Sequence, residues 1–233
     1  MRAVTMRWPD VLIQFEDFSN DHALSLLEKY RYKYLCFNDD IQGTGSVTLS
    51  GVVSALKTRS GSYESLASER IVVVGAGSAG LGVTNAIAWT MVTQLGVRHD
   101  EAFKQFYLVD NNGLLGQGRA FNPAQMRYIR SDLPDRMGLL DLVKEVKPTI
   151  ILGVTGVSGL FTEEVIREMY KHCERPIIFP LSNPTSKAEC TAEQAYTWTD
   201  GNAVVASGSP FEPVEVNGKT CIPSQCNNMY IFP

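Results

Sequence analysis

The run "RIVVVGAGSAGLG" at 70–82 constrains this chain more than any other stretch. A β-branched segment, Ile71 to Val74, runs straight into Gly75, Gly77 and Gly80, spaced G-x-G-x-x-G, and helical spacing follows over about 79–95. Glycine triplets alone arise in many loops, but strand, glycine turn and helix in that order serve a purpose. Gly75 permits a tight turn, Gly77 lets the backbone approach a pyrophosphate, and Gly80 lets helix and strand pack closely. The helix start then offers its free N–H groups to phosphate. The stretch therefore predicts a dinucleotide-binding turn. Asp110, closing the run "FYLVD", is the carboxylate placed to bond a ribose hydroxyl. It lies 30 positions beyond Gly80, against the usual ~20, so the first helix must be long or its loop extended.

Four further β-branched or apolar runs are bounded by Gly, Pro or Asp, at 106–110, 149–156, 175–184 and 203–210. Runs apolar on both faces suit strands covered from both sides. Helical spacing falls between them at about 79–95, 135–146, 162–172 and 191–198, with Thr162 and Thr191 as N-caps. This alternation predicts an α/β fold, a doubly wound parallel sheet of the Rossmann type. The opening differs: "VLIQFEDF" reads as a strand, "SNDHALSLLEKYRYKYL" as a helix, and about 44–57 as a second helix rich in small residues. Residues 58–69 read as a surface connection.

Composition narrows the partners. With 233 residues the chain can bury a full core, and 44% hydrophobic with 20% charged residues is ordinary for a globular protein. A net charge of −4 without a Lys/Arg run predicts no nucleic-acid or anionic-membrane partner. No stretch reaches the roughly 20 apolar residues of a membrane span. Five scattered cysteines and an opening without an apolar signal stretch predict an intracellular location with free thiols.

The cofactor reads either way. Asp110 would repel a 2′-phosphate and favour NAD, while Arg119, Arg127 and Arg130 follow and could neutralise one, favouring NADP.

Two acidic pairs need an explanation. Glu16 and Asp17 sit between phenylalanines in "QFEDF", and Asp39 and Asp40 follow in "FNDDIQGT", with Asp40 23 positions after Asp17 and a helix between. If the chain returns after that helix, the pairs meet, and converging carboxylates repel one another unless a cation joins them. A hard ion, Mg²⁺ or Mn²⁺, takes such oxygen ligands. Ordinary edge charges and a helix cap account for the same spacing equally well. Asn183 in "PLSNPTS" and Asn227 and Asn228 in "PSQCNNMYIFP" offer neutral amides for a substrate carboxylate or hydroxyl, or form turns.

Taken together, "LIQFEDF", "FNDDIQGT", "GAGSAGLG", "LFTEEVI", "LSNPTSKAECTAEQAYTWT", "ASGSPF" and "QCNNMYIFP" resemble the malic enzymes along essentially the whole chain. The resemblance implies an oxidoreductase that oxidatively decarboxylates malate to pyruvate and CO₂ with reduction of NAD or NADP. It implies Glu16, Asp17 and Asp40 as ligands of Mg²⁺ or Mn²⁺, with Asp39 beside the family's catalytic lysine. The cation would chelate malate and stabilise the enolate left by decarboxylation. Asn183, Asn227 and Asn228 would bind substrate. Asn20, Thr44, Gly75, Gly77, Ser78, Ala79, Gly80 and Asp110 would contact cofactor, and Arg127 falls near a basic position of NADP-using members, a lean towards NADP.

Departures from the pattern carry their own expectations. Family members are more than twice as long, and their general-acid tyrosine, general-base lysine and substrate arginine lie upstream of the matching region. Residues 1–38 then form part of a metal and substrate domain, 39–227 the NAD(P)-binding domain, and 228–233 the start of the return. The chain alone is expected to be inactive or nearly so, and the full-length form a homo-oligomer in the cytoplasm or mitochondrion. Cys226 stands where the family usually has glycine and is expected to tighten its loop. A non-catalytic dinucleotide-binding module, natural or truncated, would share every motif.

Overall fold

A computed structural model describes residues 1–232. A short helix, α1 (Arg2–Arg7), precedes strand β1 (Ile13–Phe15), which delivers Glu16 and Asp17. Helix α2 (Asn20–Tyr30) buries Ala23 and Leu27, and the chain then turns into β2 (Cys36–Asn38). The helix expected over 19–35 therefore stops at Tyr30. Strand β2 pairs in parallel with β1, Phe15 opposite Asn38, so the residues that follow each strand emerge side by side. A wide π turn, Asp39–Gly43, leads into α3 (Thr44–Ser60).

The connection over 58–69 is not a simple surface link. Helix α3 runs on to Ser60 and closes on Gly61 in the left-handed region. Leu66 is then fully buried in the core, and Glu69 is buried against Arg59. One apolar side chain among serines was too weak a periodic signal to reveal this.

The sheet proper begins with β3 (Ile71–Val74), followed by α4 (Ser78–Leu95), α5 (His99–Lys104) and β4 (Phe106–Asp110). A long helix and a second short one fill the unusual interval between the glycine turn and Asp110. Next come β5 (Gly113–Leu114), α6 (Leu139–Val146), β6 (Ile150–Gly153), α7 (Glu163–His172) and β7 (Ile177–Pro180). The chain continues through α8 (Ala192–Thr197), β8 (Val204–Ser207), β9 (Val214–Val216), β10 (Lys219–Cys221) and β11 (Ser224–Gln225). Thr162 caps α7 by accepting from the Val165 N–H, and Thr191 and Gln194 form a reciprocal capping box on α8.

Seven strands stand in the order β11-β8-β7-β6-β3-β4-β5, all parallel except the terminal β5. Alternate residues of each strand feed opposite cores, which is what double winding requires. Ile71, Val73, Ile150, Leu152, Ile177 and Phe179 pack with α3, α4 and α5, whereas Val72, Val74, Ile151 and Ile178 pack with α6, α7 and α8. The five expected strands are all present; the short β5, β11 and the β9–β10 hairpin carried no sequence signal strong enough to find them. From β3 the chain moves to β4 on one side and returns to β6 on the other. The strand ends after β3 and β6 therefore flank the crevice where ligands bind in open α/β sheets. No helix among the described residues is long and apolar enough to cross a membrane.

Candidate functional site

Two cavities open at the C-terminal ends of the central strands. The first, about 890 Å³, is lined by Gly75 to Ala79, by Asp110 to Gly113, and by Asn20, Gln125, Arg136, Val154, Thr155 and others. Glycine is required here on geometric grounds. Gly75 has φ +114°, and a Cβ at Gly80 would stand 1.7 Å from the Gly75 carbonyl oxygen. Helix α4 starts at Ser78, and the Ser78 N–H is held by Asn20 Oδ1 at 2.8 Å. A dinucleotide fits this cradle: closely approaching backbone, a helix N-terminus and a carboxylate at the next strand end. That carboxylate is already engaged. Asp110 accepts from Arg119 at 2.8 Å and from the Asn112 N–H at 2.7 Å, and Arg119 is shared with Asp135 at 2.9 Å.

The second cavity, about 420 Å³, is lined by Glu16, Asp17, Asp39, Asp40, Thr44, Ser182, Asn183, Asn227, Asn228 and neighbours. One carboxylate oxygen each from Glu16, Asp17 and Asp40 lies within 4.8 Å of the others. The parallel pairing of β1 and β2 brings the two acidic pairs together. Asp17 has φ +56°, and its N–H donates to Asp40 Oδ2 at 3.0 Å. Burial, opposed by a bond from the Gln14 amide and reinforced by Asp39, Asp40 and Asp17, raises the pKa of Glu16 above its ordinary 4.5. Burial and the neighbouring acids likewise raise Asp40 above 3.8. Asp39 is 3% exposed; its Oδ2 accepts from Asn228 Nδ2 at 2.7 Å, while its buried Oδ1 has no partner. Three converging carboxylates that repel one another form a donor set that fits a hard divalent cation.

The structure brings Asn183, Asn227 and Asn228 to the acidic cavity, although Asn228 spends its amide N–H groups on Asp39 and Thr44. It brings Asn20, Gly75, Gly77, Ser78, Ala79 and Asp110 to the cleft. Two expected cofactor contacts lie elsewhere. Thr44 faces the acidic cavity. Arg127 sits with its guanidinium 5.6 Å above the Phe103 ring and does not line the cleft. Arg136, which nothing in the sequence singled out, is the cation that lines the cleft. Cys226 is buried, with Sγ 3.2 Å from the Val47 carbonyl of α3.

A doubly wound sheet with this glycine turn defines a dinucleotide-binding domain. The family described as "Malic enzyme, NAD binding domain" matches residues 41–233, and the chain belongs to that family. An NADP-dependent malic enzyme of Dictyostelium discoideum is 52% identical over the whole chain, and an NAD-dependent malic enzyme of Shewanella frigidimarina is 48% identical. The chain spans 43% and 42% of their respective lengths. Among solved structures, an NAD-dependent malic enzyme from Thermotoga maritima superposes with TM-score 0.74 at 23% identity, over 100% of this chain and 55% of that one. An Entamoeba histolytica malic enzyme gives 0.69 at 24%, over 95% and 41% respectively, and both confirm the fold.

Proposed function

We propose that this chain is the cofactor-binding core of a malic enzyme, converting malate to pyruvate and CO₂ with reduction of NAD or NADP. The single observation that carries the proposal is adjacency. Ala79 and Val154 line both cavities, so a dinucleotide in the cleft and a substrate among the acids meet at one wall. The residue roles, and the boundaries 1–38, 39–227 and 228–233, are part of the proposal; Pro233 lies outside the described residues.

The cleft would hold the dinucleotide that takes up the hydride from malate C2, and Glu16, Asp17 and Asp40 would hold Mg²⁺ or Mn²⁺, which would supply Lewis-acid polarisation of the C2 oxygen. The chain's own residues orient and desolvate. Asn183 and Asn227 present amides to the substrate carboxylates, and Asn228 fixes Asp39 at the cavity wall. The hydroxyl proton leaves to a base, the C3–C4 bond breaks to release CO₂, and the resulting enolate takes a proton from an acid. No lysine, arginine or tyrosine lines the acidic cavity among the described residues. Those proton-transfer groups are therefore proposed to come from outside this chain, each worth ~10²–10⁴ in rate.

The lean towards NADP rests on Arg136 together with the neutralisation of Asp110 by Arg119. Five free cysteines support an intracellular location, cytoplasmic or mitochondrial, and a homo-oligomeric full-length form is part of the proposal.

The test is calorimetric titration of the chain with NAD⁺ and NADP⁺, then with malate in the presence of Mn²⁺, followed by a malate-dependent reduction assay. Dinucleotide binding, Mn²⁺-dependent malate binding and very slow turnover are expected. Dinucleotide binding that is blind to malate and Mn²⁺ would instead identify a non-catalytic module.

A further inference from the structure

Between the two cavities lies a carboxylate that lines neither of them. Glu189 is fully buried, and no ion pair among the described residues involves it. Every hydrogen bond to it comes from a donor. Its Oε1 accepts from the Thr155 N–H at 2.9 Å, the Thr155 hydroxyl at 2.7 Å and the Ser182 hydroxyl at 2.5 Å, and its Oε2 faces the Ser182 N–H at 3.4 Å. Ser182 Oγ in turn accepts from the N–H groups of Thr155 and Gly156, at 3.0 and 2.8 Å. The Thr155 hydroxyl accepts from the Val157 N–H at 3.0 Å. The glycine at the end of β6 makes room for this arrangement, since a Cβ on Gly153 would stand 2.5 Å from Glu189 Cδ.

These donors belong to two loops with different duties. Thr155 and Val157 line the dinucleotide cleft; Gly156, Ser182 and Asn183 line the acidic cavity; Val154 lines both. Backbone N–H groups beyond strand ends need acceptors when buried, and here one side chain satisfies both loops. An acceptor shared in this way couples its donors, because a shift of one loop changes the bonds offered to the other. We propose that Glu189 is a positioning residue that clamps the loops after β6 and β7, setting cofactor and substrate sites in register and coupling their occupancy. The substrate half of this inference rests on the malic enzyme reading; the loop half does not.

Glu189→Gln keeps the shape but leaves a single, weaker acceptor oxygen and places an NH₂ group opposite the Ser182 N–H. Calorimetry on the 233-residue chain is expected to show NAD(P)⁺ affinity falling about tenfold, as weakening a buried acceptor shared by both loops implies. Malate affinity with Mn²⁺ should fall alongside it, with the melting temperature within a few degrees of wild type. A lowered melting temperature with unchanged affinities, or a loss at only one site, would overturn the proposal. Hydrogen exchange on the unsubstituted chain keeps the question open to decision if the variant fails to fold. On adding NAD⁺, protection should rise at 154–157 and also at 181–183, and a response at 154–157 alone refutes the clamp. Dinucleotide binding without Mn²⁺-dependent malate binding would sink the malic enzyme reading, yet exchange at 181–183 would still decide the clamp.

Discussion

The dinucleotide cleft and the acidic cavity share a wall but are built from opposite materials. The cleft is shaped by what is missing: Gly75, Gly77 and Gly80 leave room for backbone and ligand. The acidic cavity is shaped by side chains, drawn from the ends of β1, β2 and β7 and from the segment after β11. One is therefore sensitive to sterics, and the other to charge. A substitution in the cleft should damage fold and binding together, whereas one in the acidic cavity should separate them.

Gly80→Ala tests the steric side and carries the largest expected effect. The new methyl would collide with the Gly75 carbonyl oxygen, which is backbone in a turn that already needs φ +114°. Neither partner can move without opening the turn. Dinucleotide affinity should fall more than about 100-fold and stability by about 3 kcal/mol, measured by calorimetry and urea denaturation. Normal affinity in a folded variant would mean the turn is looser than its geometry indicates.

Asp40→Asn tests the charge side. Removing one of three acidic ligands should weaken Mn²⁺ binding by about 100-fold. The cation-free protein should lose no stability, since the amide oxygen of the variant can still accept from the Asp17 N–H while the repulsion among the acids is relieved. A titration with Mn²⁺ and a thermal melt in chelator give the two answers. Loss of stability in parallel with loss of the cation would erase the contrast between the cavities.

The same charges predict a pH effect of definite sign. Burial and neighbouring acids raise Glu16 and Asp40 in the fold, so the folded state holds more protons than the unfolded chain in that range. Their contribution is then present at low pH and is lost as pH rises from the ordinary values of 4.5 and 3.8 through the raised ones. Other acids, such as Asp132 and Glu168, shift downward and oppose the trend. The difference between wild type and Asp40→Asn isolates it. In chelator, wild type should lose stability relative to the variant as pH rises above about 4, and Mn²⁺ should cancel the loss. A difference that does not vary with pH would show that the acids do not repel one another in the fold.

What was legible in the sequence follows the same division. The glycine turn is local: strand, glycines and helix stand consecutively in the chain, so its structure could be read from spacing. The acids were legible only conditionally, because residues 23 positions apart meet only if α2 is followed by a strand parallel to β1, and spacing cannot decide that. That Arg127 stands over Phe103 and does not line the cleft was not legible, because nearness in sequence to Asp110 says nothing of where a guanidinium packs. Glu189 had no signal at all. Its donors are mostly main-chain groups or hydroxyls 7 and 34 positions away, and any sequence offers those.

Arg136→Gln is the mildest of these tests, and it asks whether the cleft is wholly a matter of backbone. Arg136 is the one Lys or Arg side chain lining the cleft among the described residues, and it is well exposed, with Asp135 at 3.4 Å. Arg119 is nearly buried between Asp110 and Asp135, so its charge is already balanced. An added 2′-phosphate would therefore find Arg136 as its available cation. An exposed pair of this kind contributes up to about 1 kcal/mol, so NADP⁺ affinity should fall about three- to fivefold while NAD⁺ affinity stays put. The difference should shrink at high salt, because screening weakens an exposed charge pair. Equal loss for both dinucleotides would place Arg136 on the part they share. No change for either would leave the cleft selective by backbone shape alone and remove the support for NADP.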